Sequence, residues 1–256
     1  MRIRVGAWRE YGVSAAESLR TTIPAWRRRQ TVYNIVHMCT IMHMTFDVLL
    51  SAVGGLPFFD LATVVQLLGE RRATIQTQLA RWVRSGRLVP LRRGMYALAP
   101  RYRRTPVNPA ELANHLYRPA YLSREWAFGF YGLIPEAVVT YTSVTSRVPK
   151  RFENSFGTFE YRHVKRAAFF GYHARDVQGR KVLLADPAKA LLDFWHLASG
   201  PWSVDRMAEM RFQNFGAVDQ EVLREYGSRF DSPRLLRAVS VWCELADSEH
   251  EGTIEL

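Results

Sequence analysis

Residues 60–99 read DLATVVQLLGERRATIQTQLARWVRSGRLVPLRRGMYALA, and this stretch decides the fold of the front of the chain. Asp60 is placed to cap a helix with Leu61, Val64, Val65 and Leu68 on its inner face, and Gly69 supplies the turn that follows. The next helix, about 71–84, buries Ile75, Leu79, Trp82 and Val83. At about 100° per residue its opposite side carries Thr74, Thr77, Arg81 and Arg84, flanked by Gln76 and Gln78. Ser85-Gly86 stops it, and 88–91 and 95–98 form two short strands around Arg92-Arg93-Gly94. An earlier helix, 45–53, starts at Thr45 as N-cap, carries Phe46, Leu49, Leu50 and Val53 in one stripe, and ends at Gly54-Gly55. Helices, a hairpin and a heavy arginine load in this order have the outline of a winged helix-turn-helix.

Charge is distributed unevenly along the 256 residues. Residues 1–44 hold seven Arg and two Glu, a net +5, and residues 45–107 hold ten Arg against three acids, a net +7. Residues 108–256 balance 18 Lys and Arg against 19 acids. A basic front joined to a near-neutral back predicts a polyanion-binding module attached to a domain with another task. Cys39 and Cys243 are too few for a disulfide framework or a zinc site, so a reducing cytoplasm is the expected compartment. Arg27-Arg28-Arg29 precedes an apolar run over 31–59, but His37, His43, Asp47, Gly54, Gly55 and Pro57 interrupt it. No clean span of about 20 apolar residues remains, and no membrane partner is expected.

Residues 1–44 carry Arg and Trp without helical or strand period, and Met38, Met42 and Met44 sit just before the first patterned helix. They are expected to be a disordered extension or the product of a start assigned too far upstream. The winged helix-turn-helix then occupies 45–99. Residues 100–109 are rich in Pro and Arg and read as a linker. Beyond them the pattern is mixed α+β over 110–256. A helix covers 109–117, and Ser123 caps another after a short strand. Strand-like runs follow at 138–145, 158–164, 167–172 and 182–184. A Pro-initiated helix covers 187–198, and two or three more helices complete the chain.

Guanidinium groups fork onto guanine edges or phosphate oxygens, and Thr and Gln read base edges. Thr74, Thr77, Gln78 and Arg81 are therefore the candidate base contacts, with Arg71, Arg72, Arg84, Arg92 and Arg93 as phosphate or wing contacts. The partner these residues predict is double-stranded DNA.

Four segments occur in order further along: 91–98 (LRRGMYAL), 119–147 (PAYLSREWAFGFYGLIPEAVVTYTSVTSR), 157–161 (GTFEY) with 170–172 (FGY), and 184–197 (LADPAKALLDFWHL). Together they resemble the AbiEi antitoxin family of abortive-infection, type IV toxin–antitoxin systems, from about residue 46 to the end. Ser-Arg-Glu-Trp-Ala stands where members commonly have Ser and a small-residue run. Pro187-Ala188-Lys189-Ala190 replaces the commoner Pro-Glu-Lys-Ala, leaving no acid at position 188. The resemblance implies a winged-helix domain that binds inverted repeats in its own promoter, with a dimer on DNA, and a C-terminal domain needed for antitoxicity. It also implies a nucleotidyltransferase-like toxin, opposed without a stable complex being required, in phage defence.

The aromatic and aliphatic residues of those segments, Tyr121, Trp126, Phe128, Leu191 and Trp195 among them, read as core, and Lys189 reads as a solvated lysine. No P-loop, dinucleotide fingerprint, nucleophile elbow or HExxH is present. Asp193 and His196 share a helix without a third ligand, and His163 and His173 are isolated. Glu153, Glu160 and Asp176 are the one set that a magnesium-dependent nuclease could use, without an accompanying Glu-x-Lys. The expectation is a non-enzymatic DNA-binding antitoxin and autorepressor with no cofactor and no metal. A stand-alone winged-helix regulator and a metal-dependent nuclease are the alternatives.

Overall fold

The computed structural model describes residues 44–254, and the extension expected over 1–44 lies, but for its last residue, outside them. Phe46–Leu256 is one compact unit. It is an α+β fold. It opens with α1 (Phe46–Val53), β1 (Phe59–Asp60), α2 (Leu61–Leu68), α3 (Arg72–Arg84) and the hairpin β2 (Leu88–Arg92) and β3 (Met95–Leu98). Asp60 caps α2 as its sequence position predicts, its Oδ1 accepting from the Thr63 amide at 2.8 Å. Gly69 closes that helix in the left-handed region at φ 66°, where a side chain is disfavoured. Leu49, Val53, Val64, Ile75 and Leu79 are fully buried, and Trp82 meets Phe46 edge to face at 5.4 Å. The three strands form an antiparallel sheet in the order β1-β3-β2, with a bulge between Pro90 and Arg92.

A six-stranded mixed sheet follows, built from β4 (Ala120–Leu122), β5 (Thr140–Thr145), β6 (Lys150–Asn154), β7 (Gly157–His163), β8 (Tyr172–Val177) and β9 (Arg180–Ala185). Its order is β6-β7-β5-β4-β9-β8, with β5/β7 and β4/β9 parallel and the other pairs antiparallel. One face receives α4 (Pro109–Leu116), where Tyr161 donates its hydroxyl to the Ala113 carbonyl at 2.6 Å. Buried Asn114 bonds both backbone groups of Leu183 on β9. The other face receives α5 (Glu125–Tyr131) and α6 (Pro187–Leu197). Three further helices, α7 (Val204–Glu209), α8 (Gln220–Ser228) and α9 (Pro233–Ile254), complete that side. Among the described residues no helix is long and apolar enough to cross a membrane.

Several details differ from the sequence reading. Residues 167–172 are not a strand: Arg166–Ala168 is a 3-10 turn, and β8 starts only at Tyr172, after Gly171 at φ 68°. A Cβ at Gly171 would lie 3.0 Å from Lys189, so a side chain there is barred by space as well as by backbone. Strand β6, with its sequence KRFEN, has too little apolar content to announce itself. Ser123 does not cap α5. Arg124 takes that position at φ 61°, an unfavourable conformation for a non-glycine residue, and its guanidinium pairs with Glu125 and Glu160. Residues 100–109 are packed rather than loose: Pro100–Tyr102 is a 3-10 turn, Val107 is buried, and the Asn108 side chain caps α4.

The reading of Lys189 as solvated is overturned. Lys189 and Asp193, one turn apart on α6, are both fully buried and form an ion pair. Asp193 Oδ2 also accepts from the hydroxyls of Tyr121 at 2.9 Å and Ser123 at 2.8 Å, two residues on one face of β4 and its extension. The ammonium lies 5.0 Å from the ring centres of Phe170 and Phe230. Burial pushes the Lys189 ammonium below its ordinary value, and the Asp193 carboxylate opposes that push. Removing one member leaves an uncompensated buried charge. Lys189→Met is expected to lose about 3–5 kcal/mol in urea unfolding, while Lys189→Met with Asp193→Leu loses less than the single change. A double variant as unstable as the sum of its parts would contradict this account.

Candidate nucleic-acid interface

Helix α3 is positioned by one apolar side. Ile75, Leu79 and Trp82 are buried at i, i+4 and i+7, which turns the arginine-bearing side to solvent. Thr77, Arg81 and Arg84 are exposed, as are Arg71 and Arg72 at the helix start. Thr74 and Gln78 are half-buried at the border of that face, and Gln76, expected on a flank, is exposed. Thr77 Oγ1 donates to the Ala73 carbonyl at 3.0 Å, which fixes its rotamer and leaves its lone pairs outward. Arg71 occupies the N-cap of α3 without a side-chain hydrogen bond to the helix, so the first turn keeps unsatisfied amides.

The hairpin turns at Gly94, at φ 77°, a conformation that glycine supplies without strain. Arg93 is exposed at its tip, and Arg92 is half-buried with Nη1 donating to the Arg93 carbonyl at 3.1 Å. Burial alone would raise the Asp60 carboxyl, but hydrogen bonds from Thr63 and the nearby Arg92 charge hold it below its ordinary value. Among the described residues, none of Arg71, Arg72, Arg81, Arg84, Arg92 and Arg93 has a carboxylate within salt-bridge distance.

Hairpin and sheet share a core. Leu91, Met95 and Ala97 belong to the same apolar cluster as Tyr121, Val144 and Phe159, and Asn154 Nδ2 donates to the Leu91 carbonyl at 3.1 Å. The join leaves a cleft of about 690 Å³ whose lining includes Arg92, Arg93, Arg118, Arg147 and Lys150. The last three come from outside the front segment, and nothing in local periodicity could have placed them there. Their one sequence-level signal is that Arg147 and Lys150 flank Pro149 in a basic turn.

The carboxylates considered for a nuclease do not come together. Glu153 and Glu160 sit on β6 and β7, while Asp176 is on β8 at the opposite edge of the sheet. Glu160 is held by Arg124 at 3.1 Å and Arg162 at 2.7 Å, and these contacts outweigh the effect of burial and lower its carboxyl. Asp193 is consumed by its buried network, and His196 packs against the Phe230 ring at 5.2 Å. His163 contacts the Arg147 carbonyl, and His173 contacts Asp186. Among the described residues no group of three His, Cys, Asp or Glu is arranged to hold a metal ion.

No protein-family model matches the chain, and no curated protein matches it either.

His115 forms one wall of the cleft, with Arg118 Nη2 at 2.6 Å from its Nδ1 and 2.9 Å from its Nε2. Burial, and then the Arg118 charge, bring the imidazole down to about 4 from 6.5. The folded chain therefore favours neutral His115, and the associated stability is present above pH 6.5 and lost as pH falls toward 4. Between pH 7.5 and 5 the thermal midpoint is expected to fall less for His115→Gln than for the unaltered chain. His196, which burial also lowers, contributes equally to both proteins. Equal falls in differential scanning calorimetry would remove the contact from consideration.

Proposed function

We propose that residues 46–98 are a winged helix-turn-helix that binds duplex DNA, with α3 in the major groove and the β2–β3 hairpin as the wing. One observation carries the reading. Six arginines at the N-cap of α3, along it and on the hairpin surround one apolar scaffold, five of them exposed and none in an ion pair among the described residues, Arg92 alone lying near a carboxylate, that of Asp60. Uncompensated guanidinium charge on a rigid convex element suits a phosphate backbone, since binding releases the counterions condensed on it. Thr77 and Arg81 lie central to the exposed face and are the leading base readers. Thr74 and Gln78 reach bases from the border, and Arg71, Arg72, Arg84, Arg92 and Arg93 hold phosphates.

The likeness of the four ordered segments to the AbiEi family extends the proposal to an antitoxin that represses its own operon. Two copies occupy an inverted repeat in the promoter and block it. The adjacent gene encodes a nucleotidyltransferase-like toxin, and the sheet and its helices supply the antitoxin activity. Co-expression with that neighbour should restore growth, and a neighbour of another kind would leave a stand-alone regulator.

DNA binding is tested with the full chain and a fluorescent fragment of its own promoter. With six to eight phosphates neutralised per dimer, log affinity should fall against log salt with a slope of about −5 to −7. Arg93→Ala is expected to weaken promoter and random duplex alike, while Arg81→Ala or Thr77→Ala reduces the preference between them. A flat salt dependence would remove the DNA reading. Identical losses on both duplexes for all three variants would remove the division into readers and clamps.

A further inference from the structure

We propose that the cleft between the hairpin and the edge of the six-stranded sheet binds a nucleoside polyphosphate. Its volume, about 690 Å³, is that of a small-molecule site rather than a groove for a macromolecule. Arg92 and Arg93 reach it from the hairpin, Arg118 from the segment between α4 and β4, Arg147 from the turn between β5 and β6, and Lys150 from the start of β6. None of these five cations has a carboxylate within salt-bridge distance among the described residues. Asp60 is the one carboxylate in the lining; its Oδ1 is engaged by the amide and hydroxyl of Thr63, and its charge offsets part of that of nearby Arg92.

Five like charges facing one concavity repel, and a concave low-dielectric wall concentrates their field. A compact anion bearing several charges offsets that repulsion, and polyphosphate has both the charge and the oxygens to accept forked guanidinium bonds. Two of the guanidiniums are already set. Arg147 lies over the Tyr117 ring at 4.5 Å and donates to the Arg118 carbonyl at 3.1 Å. Arg118 rests against His115. Each retains further N–H donors.

Much of the remaining wall is aromatic, with Thr63, Met95 and Leu116 beside it. Phe58, Tyr117 and Phe152 line the same cleft, with the Tyr117 and Phe152 rings half-buried and 6.0 Å apart. An inorganic phosphate would leave this apolar wall unused, whereas a nucleobase covers it. Arg92 and Arg93 also belong to the proposed wing, so competition between nucleotide and DNA rests on the DNA reading, but nucleotide binding itself does not.

Isothermal titration calorimetry of the full chain in EDTA, without DNA, tests the site with ATP, tripolyphosphate and adenosine as probes. ATP is expected to bind once per chain and at least about tenfold more tightly than either fragment. Arg118→Ala and Lys150→Ala should each weaken ATP about tenfold, with Arg237→Ala, near the start of α9 and outside the cleft lining, unchanged. Lys150 is an exposed edge-strand residue, so its variant reports even if Arg118→Ala fails to fold. Absence of ATP binding, tripolyphosphate as tight as ATP, or an equal loss in Arg237→Ala would each overturn the proposal. So would a chain that ignores ATP but loses duplex affinity on Lys150→Ala, since the cleft would then belong to a DNA backbone track.

Discussion

The architecture depends on the burial of one hairpin in two directions. Met95 and Ala97, two apart on β3, join the apolar cluster of the six-stranded sheet, while Tyr96 faces Phe59 of β1. Period-two alternation lets a single strand serve two neighbours, one on each face. Leu91 reaches the same cluster from β2, at the bulge that follows Pro90, and its carbonyl takes the Asn154 amide. A bulge places one extra residue against the partner strand and re-aims the side chains around it. Leu91 is the extra residue of that bulge and Arg92 follows it, the first going to the core and the second to the cleft.

The second fixed point is the Asp193 carboxylate. It draws Tyr121 and Ser123 from β4 and Lys189 from α6 into one polar knot inside an otherwise apolar layer. Such a knot gives little net stability compared with a well-packed apolar substitute, but it penalises every arrangement in which its members are misaligned. It therefore sets the register of α6 over the sheet, and Gly171 makes room for the lysine stem.

Local sequence was a good guide where an element has one apolar side. The stripes Ile75-Leu79-Trp82 and Leu61-Val64, the Asp60 cap and the glycine turns all follow from spacing, as does the outward direction of Arg81 and Arg84. It was a poor guide to edge strands. In β6 and β8 most side chains face water, so their composition is that of loops. It was blind to pairing at a distance: a lysine looks solvated until the aspartate one turn on, and two hydroxyls 66 and 68 residues upstream, are seen around it. The cleft belongs to this last class, because α4, β5 and β6 must assemble before Arg118, Arg147 and Lys150 meet the hairpin.

The double duty of the hairpin also bears on modularity. Cutting the chain near Pro106 would strip the cover from Leu91, Met95 and Ala97 and expose an apolar patch that the intact protein hides. The front segment is thus no cassette to be excised or transplanted. A chimera carrying it would need a host surface that supplies the missing wall, and a bare fragment would stick to itself.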